Sequence, residues 1–238
     1  MAGIVRLAPG QDFPPTTLAL DYPNGLLAAG GGLSPERLLA AYRRGIFPWY
    51  EAPQPVLWWT PDPRSVLYLD DFHIARSLRK TLRRNQLGLA VDRRFAAVIT
   101  ACAGPRRGSD GTWIGEDMLQ AYLGLHRRGT AHSVEVLDRD GTLVGGLYGV
   151  AVGQAFFGES MFSRVPSASR VALVALVDIL RRGGFRLIDC QVESDHMNTM
   201  GARNISRLDF EAELAQTVDR IVDPAIWALP AYCGDLLP

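Results

Sequence analysis

Three polar residues stand inside apolar, β-rich runs: Glu159 in Phe156-Phe157-Gly158-Glu159-Ser160-Met161, and Asp189 and Gln191 in Leu187-Ile188-Asp189-Cys190-Gln191. A polar group buried without a partner costs about 1–3 kcal/mol, and an ionised one more. These residues therefore form either a hidden polar network or a site. Side chains two apart on a strand emerge on one face, which places Asp189 beside Gln191. No nucleophile accompanies them. The four histidines and three cysteines share no motif, and Gly158-Glu159-Ser160-Met161 is not the GxSxG elbow. HExxH, CxxC and HxH spacings are missing, so neither a metal nor a cofactor is expected.

Coenzyme A acyltransferases cradle pyrophosphate on a glycine loop between a strand and the next helix, using its free amides. The corresponding segment here is Ser163-Arg164-Val165-Pro166-Ser167-Ala168-Ser169. It has no glycine, and Pro166 removes one amide donor. The strand-to-helix order fits such an enzyme and the cradle does not, which points to a different acyl donor. A small-molecule N-acyltransferase using acyl-CoA stays as one alternative, and a non-catalytic tRNA-binding protein as another.

A second group able to bind something is basic. Arg76, Arg79, Lys80, Arg83 and Arg84 recur at helical spacing on one face, with no acid between them, beside the apolar stripe Ile74, Leu78 and Leu82. Like charges so spaced repel, so this face is expected to meet a phosphate backbone rather than only water.

The elements that must position these residues can be read in order. Ser34-Pro35-Glu36 starts a helix that reaches about Arg44 and stops at Gly45. Residues 45–64 carry Trp49, Trp58 and Trp59 among prolines, and regular structure is not expected there. Trp58 and Trp59 read as packing, whereas Trp49 is evenly balanced between packing and a stacking surface. Pro63 is the candidate domain boundary. The next expected elements are a helix from Asp71 to Arg84, a strand from Leu89 to Asp92, a helix from Arg93 to Cys102 capped by Asp92, and a helix from Glu116 to Arg127. His132–Leu137 alternates as a strand, and Asp140-Gly141 signals a hairpin. Gly145, Gly146 and Gly149 in the partner strand indicate a bulge or the close approach of another group. Gln154–Ser163 forms the next strand, followed by a helix from Ala168 to Arg182 and a strand ending at Gln191. Asp195–Ala202 reads as a short helix, Ile205–Phe210 as irregular, and Glu211–Val222 as helical. Hairpin strands, a helix and a returning strand define an α+β fold with a mixed sheet.

Composition allows all of this. The 238 residues suit one large domain or one with a small companion; 47% are hydrophobic and 21% charged. Net charge is zero, so any attraction to nucleic acid must be local. Three widely spaced cysteines read as free thiols in a reducing compartment. No signal-peptide pattern is present and no apolar run approaches the ~20 residues of a membrane span, so a cytoplasmic protein is expected.

Several longer runs then stand out: Gly45-Ile46-Phe47-Pro48-Trp49, Trp58-Trp59-Thr60-Pro61-Asp62-Pro63-Arg64, Thr112-Trp113-Ile114, Ala131-His132-Ser133-Val134-Glu135, Leu143-Val144-Gly145-Gly146-Leu147-Tyr148-Gly149, Phe157-Gly158-Glu159-Ser160-Met161-Phe162-Ser163-Arg164 and Leu187-Ile188-Asp189-Cys190-Gln191. In this order, from about Phe13 to Leu214, the sequence resembles the leucyl/phenylalanyl-tRNA–protein transferases. The resemblance implies a small N-terminal α/β domain (residues 1–63) and a larger acetyltransferase-like domain (residues 64–238). It implies transfer of Leu or Phe, and less well Met, from aminoacyl-tRNA to proteins with N-terminal Arg or Lys, marking them for N-degron degradation. A monomer without a membrane partner is expected.

The resemblance also implies roles. Asp189 and Gln191 lie nearest the chemistry, with Gln191 as proton acceptor polarised by Asp189. A neutral amide has no useful proton affinity near pH 7, so Gln191 is expected instead to orient the amine, with the proton leaving through water or a ribose hydroxyl. Glu159 is expected to bind the amine or the acceptor's cationic end. Leu147, Phe156, Met161, Leu173, Leu176 and Ile188 would form the side-chain pocket. Trp49 and Trp113 would contact the terminal adenosine and the substrate side chain, and the Arg76–Arg84 face would meet the acceptor stem. Two positions depart from the family pattern: Gly32, where many members carry Asp, and Leu147, often Met, which bears on side-chain preference.

Overall fold

The computed structural model describes residues 4–104 and 114–237. Its strands are β1 (Val5–Leu7), β2 (Leu26–Gly30), β3 (Phe47–Pro48), β4 (Leu57–Trp59), β5 (Arg64–Tyr68), β6 (Gly88–Val91), β7 (Ala131–Leu137), β8 (Leu143–Val152), β9 (Ala155–Ser163), β10 (Leu187–Gln191) and β11 (Arg203–Ile205). The helices are α1 (Pro35–Tyr42), α2 (Arg76–Arg83), α3 (Phe95–Cys102), α4 (Glu116–Arg127), α5 (Ala168–Arg182), α6 (Asp195–Asn198) and α7 (Arg207–Thr217). Two sheets result, a four-stranded one ordered β1-β2-β4-β3 and a seven-stranded one ordered β11-β5-β10-β9-β8-β7-β6. The larger sheet is mixed, with β10 parallel to β9 and antiparallel to β5. This is the α+β class expected from the hairpin, helix and returning strand.

Alternation along the large sheet builds two cores. Leu67, Leu147, Phe156 and Ile188 face α2 and α5, whereas Val66, Tyr148, Phe157 and Leu187 face α1, α3, α4 and the small sheet. Residues adjacent in sequence thus divide between two apolar layers, as the pleat requires. Close packing on β8 explains its glycines. A Cβ at Gly145 would sit 2.4 Å from that of Ala168 at the start of α5, and one at Gly149 would sit 2.2 Å from the carbonyl oxygen of Phe157. Gly149 also borders a bulge, so both expected meanings of these glycines are present.

Four local expectations are corrected. The Trp- and Pro-rich stretch is not irregular: β3 and β4 pair there, and Trp58 is fully buried with its indole N–H donating to the Gly30 carbonyl at 2.8 Å. Pro48 is tolerated because β3 is an edge strand. The basic helix begins at Arg76 rather than Asp71, because His73 donates its N–H to the Met200 carbonyl and holds the preceding segment out of helix. Asp92 does not cap α3. It adopts φ 57° and accepts from Ser133 N and His132 Nδ1, while the buried Glu135 carboxylate accepts the Arg93 and Arg94 amides. Finally, the segment around Ile205–Phe210 is regular: β11 pairs with β5, and Ser206 caps α7 by accepting from Asp209 N at 3.1 Å. Among the described residues no helix is long and apolar enough to cross a membrane.

Candidate active site

The site forms where two strands part. β9 and β10 pair only as far as Phe157 and Asp189. Beyond that point each carries a bulge. Tyr148 pairs with Ser160 and Gly149 with Gly158, so Glu159 is the extra residue of β9. Asp189 pairs with Val66 and Gln191 with Ser65, so Cys190 is the extra residue of β10. Bulges re-aim side chains, and these two turn Glu159 and Gln191 toward each other. Gln191 completes the turn with a left-handed backbone, φ 66°. The bulge interrupts simple alternation between Asp189 and Gln191, yet both reach the same cavity.

That cavity has a volume of about 780 Å³. Its walls include Trp49, Leu147, Phe156, Met161, Leu173, Leu176 and Ile188, with Glu159, Asp189 and Gln191. Thus every residue assigned from the sequence to chemistry or to the side-chain pocket meets here except Trp113, which lies outside the described residues. Trp49 stands at the rim, 44% exposed, its ring 5.8 Å from that of Trp59. The basic residues do not line the cavity. Arg76, Lys80, Arg83 and Arg84 are exposed on or just beyond α2 and Arg79 is half-buried, while Leu78 and Leu82 anchor the helix. None of the five is ion-paired with a carboxylate among the described residues.

Asp189 is fully buried and bound by Arg64, which donates from Nε at 2.8 Å and from Nη2 at 2.6 Å. The guanidinium lies between the rings of Phe47 and Phe210, at 4.8 and 4.6 Å. Asp189 also accepts the Gln191 backbone N–H at 2.9 Å. It therefore fixes the Gln191 backbone rather than polarising the side-chain amide. That amide donates to Glu159 Oε1 at 3.0 Å. Tyr42 and Tyr122 donate to the Oε1 and Oε2 of Glu159, each at 2.7 Å, and their hydroxyls lie 2.5 Å apart. Burial raises the Glu159 pKa against the lowering effect of these donors, and it settles at about 7. The thiol of Cys190, on the cavity wall, is pushed up by burial and by the Asp189 charge.

Arg64, Tyr42 and Tyr122 are the residues that sequence reasoning passed over. Arg64 was visible only as the end of a Pro-rich run. Tyr122 sits on an apolar stripe of α4 and Tyr42 on a buried face of α1, where a tyrosine cannot be told from core. Removing one member of a buried ion pair costs about 3–5 kcal/mol, because the other charge is left without compensation. Arg64→Ala is accordingly expected to lower the unfolding free energy by about that amount in denaturant titration. A loss below about 1 kcal/mol would show that Asp189 does not depend on Arg64.

Comparison with known proteins agrees with the resemblance seen in sequence. A family model described as leucyl/phenylalanyl-tRNA protein transferase matches residues 66–215, and one for the N-terminal domain of that family matches residues 31–62. A leucyl/phenylalanyl-tRNA–protein transferase of Pseudomonas entomophila is 58% identical over 208 residues, covering 87% of this chain and 92% of its own. The corresponding protein of Azotobacter vinelandii is 58% identical over 207 residues, covering 87% and 91%. Among solved structures, L-PGS from Bacillus licheniformis is similar at 15% identity and a TM-score of 0.38, covering 67% of this chain and 51% of that one. A GCN5-related N-acetyltransferase from Sphaerobacter thermophilus follows at 14% identity and a TM-score of 0.34, covering 80% and 60%. These two likenesses are too distant to bear on fold or function. The family models and the curated relatives span most of the chain, and the protein belongs to the leucyl/phenylalanyl-tRNA–protein transferases, a family of aminoacyltransferases.

Proposed function

We propose that this chain moves Leu or Phe, and Met less well, from aminoacyl-tRNA to the α-amino group of proteins beginning with Arg or Lys, and so marks them for N-degron degradation. The observation that carries this reading is the cavity: an apolar wall of Leu147, Phe156, Leu173, Leu176 and Ile188 meets a polar floor of Glu159 and Gln191. Its volume of about 780 Å³ suits an aminoacyl group together with part of its carrier nucleoside. An aminoacyl ester is already activated, so aminolysis runs downhill. The enzyme's task is to hold the ester carbonyl and a neutral amine at reacting distance.

In this reading the apolar wall takes the Leu or Phe side chain, and Trp49 and Trp113 contact the terminal adenosine and the substrate side chain. Gln191 orients the amine through its carbonyl oxygen, and Glu159 contacts the amine or the acceptor's cationic end. Residues 1–63 act as a small domain ahead of the catalytic one, a division supported by the change of sheet between Trp59 and Arg64. The protein works as a cytoplasmic monomer. Arg76, Arg79, Lys80, Arg83 and Arg84 bind acceptor-stem phosphates, a role supported by their lack of carboxylate partners among the described residues.

Incubation with labelled leucyl-tRNA and an Arg-initiated peptide is expected to move the label onto the peptide's α-amine. Label remaining on tRNA, or transfer requiring acyl-CoA, would overturn the reading. For the basic face, Arg76→Glu combined with Arg83→Glu is expected to weaken tRNA binding and to flatten its salt dependence by about one unit of slope per lost contact. Unchanged affinity and slope would return this face to a merely solvated role.

A further inference from the structure

The hydrogen bonds around Glu159 leave it in an unusual state for a carboxylate on a cavity floor. A carboxylate accepts at about four positions. Tyr42 and the Gln191 amide occupy both on Oε1, and Tyr122 occupies one on Oε2. Among the described residues nothing occupies the fourth position, on Oε2. Two neighbouring polar groups of the floor, Asp189 and Gln191, are unsuited to accept a proton. Asp189 has both oxygens engaged, by the Arg64 guanidinium and by the Gln191 backbone N–H. Gln191 is a neutral amide whose NH₂ points to Glu159, which leaves its carbonyl oxygen free to face a ligand.

We propose that Glu159 is the proton acceptor of the transfer reaction, taking through Oε2 the proton that the attacking amine sheds. This rests on the functional reading above and replaces the water or ribose route expected from sequence. The neutral α-amine forms a C–N bond to the ester carbonyl carbon. The nitrogen, now positive, gives one proton to the Glu159 carboxylate. The bond from the carbonyl carbon to the ribose oxygen breaks, and that oxygen takes a proton back from Glu159. Atoms and charge balance: amine plus ester yields amide plus the free ribose hydroxyl. Tyr42 and Tyr122 are positioning residues, because they fix the carboxylate and temper its basicity.

The groups facing Glu159 come from several elements. They are Tyr42 on α1, Tyr122 on α4, Tyr148 on β8 (its ring 5.5 Å from that of Tyr122), and Asp189 with its partner Arg64. Cys190 and His196 also line the cavity. Burial raises the Glu159 pKa and the Asp189 charge adds to that, while the two tyrosines and Gln191 lower it, to a net value of about 7. A base of this strength is matched to neutral pH. Below about 7 the carboxyl is protonated and cannot accept, so activity must rise with pH through that range.

The test is the pH dependence of single-turnover transfer from leucyl-tRNA to an Arg-initiated peptide. The acceptor's own α-amine ionises at about 8. In the wild type both groups must lose a proton, so the logarithm of the rate is expected to climb with slope two at low pH. Glu159→Gln should reduce the slope to one and the plateau by about 100-fold or more. Its tRNA binding and thermal melt serve as the check on folding. Tyr42→Phe or Tyr122→Phe removes a bond that holds the pKa down and should move the lower ionisation to higher pH. A Glu159→Gln profile that keeps slope two, or tyrosine variants that leave the lower ionisation in place, would overturn the proposal while leaving the functional reading intact. Absence of wild-type transfer at every pH would overturn both.

Discussion

The fully buried pair of Arg64 and Asp189 is the interaction on which the rest of the site depends. It joins β5 to β10 and, through the rings of Phe47 and Phe210, ties in β3 of the small sheet and α7. From Asp189 a chain of hydrogen bonds runs to the Gln191 backbone, from the Gln191 amide to Glu159, and on to Tyr42 of α1 and Tyr122 of α4. Both sheets and the helical layer are therefore held through one polar network. A buried ion pair adds little net stability compared with apolar packing, but it is expensive to leave half-made. Such a network specifies geometry more than it supplies free energy.

The geometry it specifies follows from a fault in the sheet. Parallel β9 and β10 part after Phe157 and Asp189, and a bulge on each strand converts the parting into a cavity. The pleat sends Leu147, Phe156 and Ile188 to the side of α5, which makes the wall apolar. The bulges send Glu159 and Gln191 to the floor. For the proposed reaction of an activated ester, this would supply an apolar pocket for its side chain, a group to orient the amine and a place for one proton.

Much of this was legible in the residues. Glu159, Asp189 and Gln191 stood out because strands that are otherwise apolar carry few such groups without reason. The wall residues were implied by the family resemblance, and the pleat and the apolar positions of α5 account for their sharing one side of the sheet. Gly145 and Gly149 announced close packing, and Ala168 and Phe157 supply it. What stayed hidden has physical causes. Tyr42 and Tyr122 lie on buried helix faces, where only the third dimension shows that their hydroxyls converge on a carboxylate. Arg64 looked like the end of a turn until its partner, 125 positions away, was placed. β3 and β4 are too short to show alternation and exist through the pairing of β4 with β2 and of β3 with β4, and through burial of Trp58. The start of α7 is marked by Ser206 and Asp209, a capping pair three residues apart.

The most direct test of the central claim is a crystal structure with a non-hydrolysable leucyl-adenosine in which an amide replaces the ester. The leucyl side chain is expected among Leu147, Phe156, Leu173, Leu176 and Ile188, with its carbonyl carbon above Glu159 and Gln191 and the adenine against Trp49. A leucyl group bound anywhere else, or a carbonyl facing away from Glu159, would contradict it.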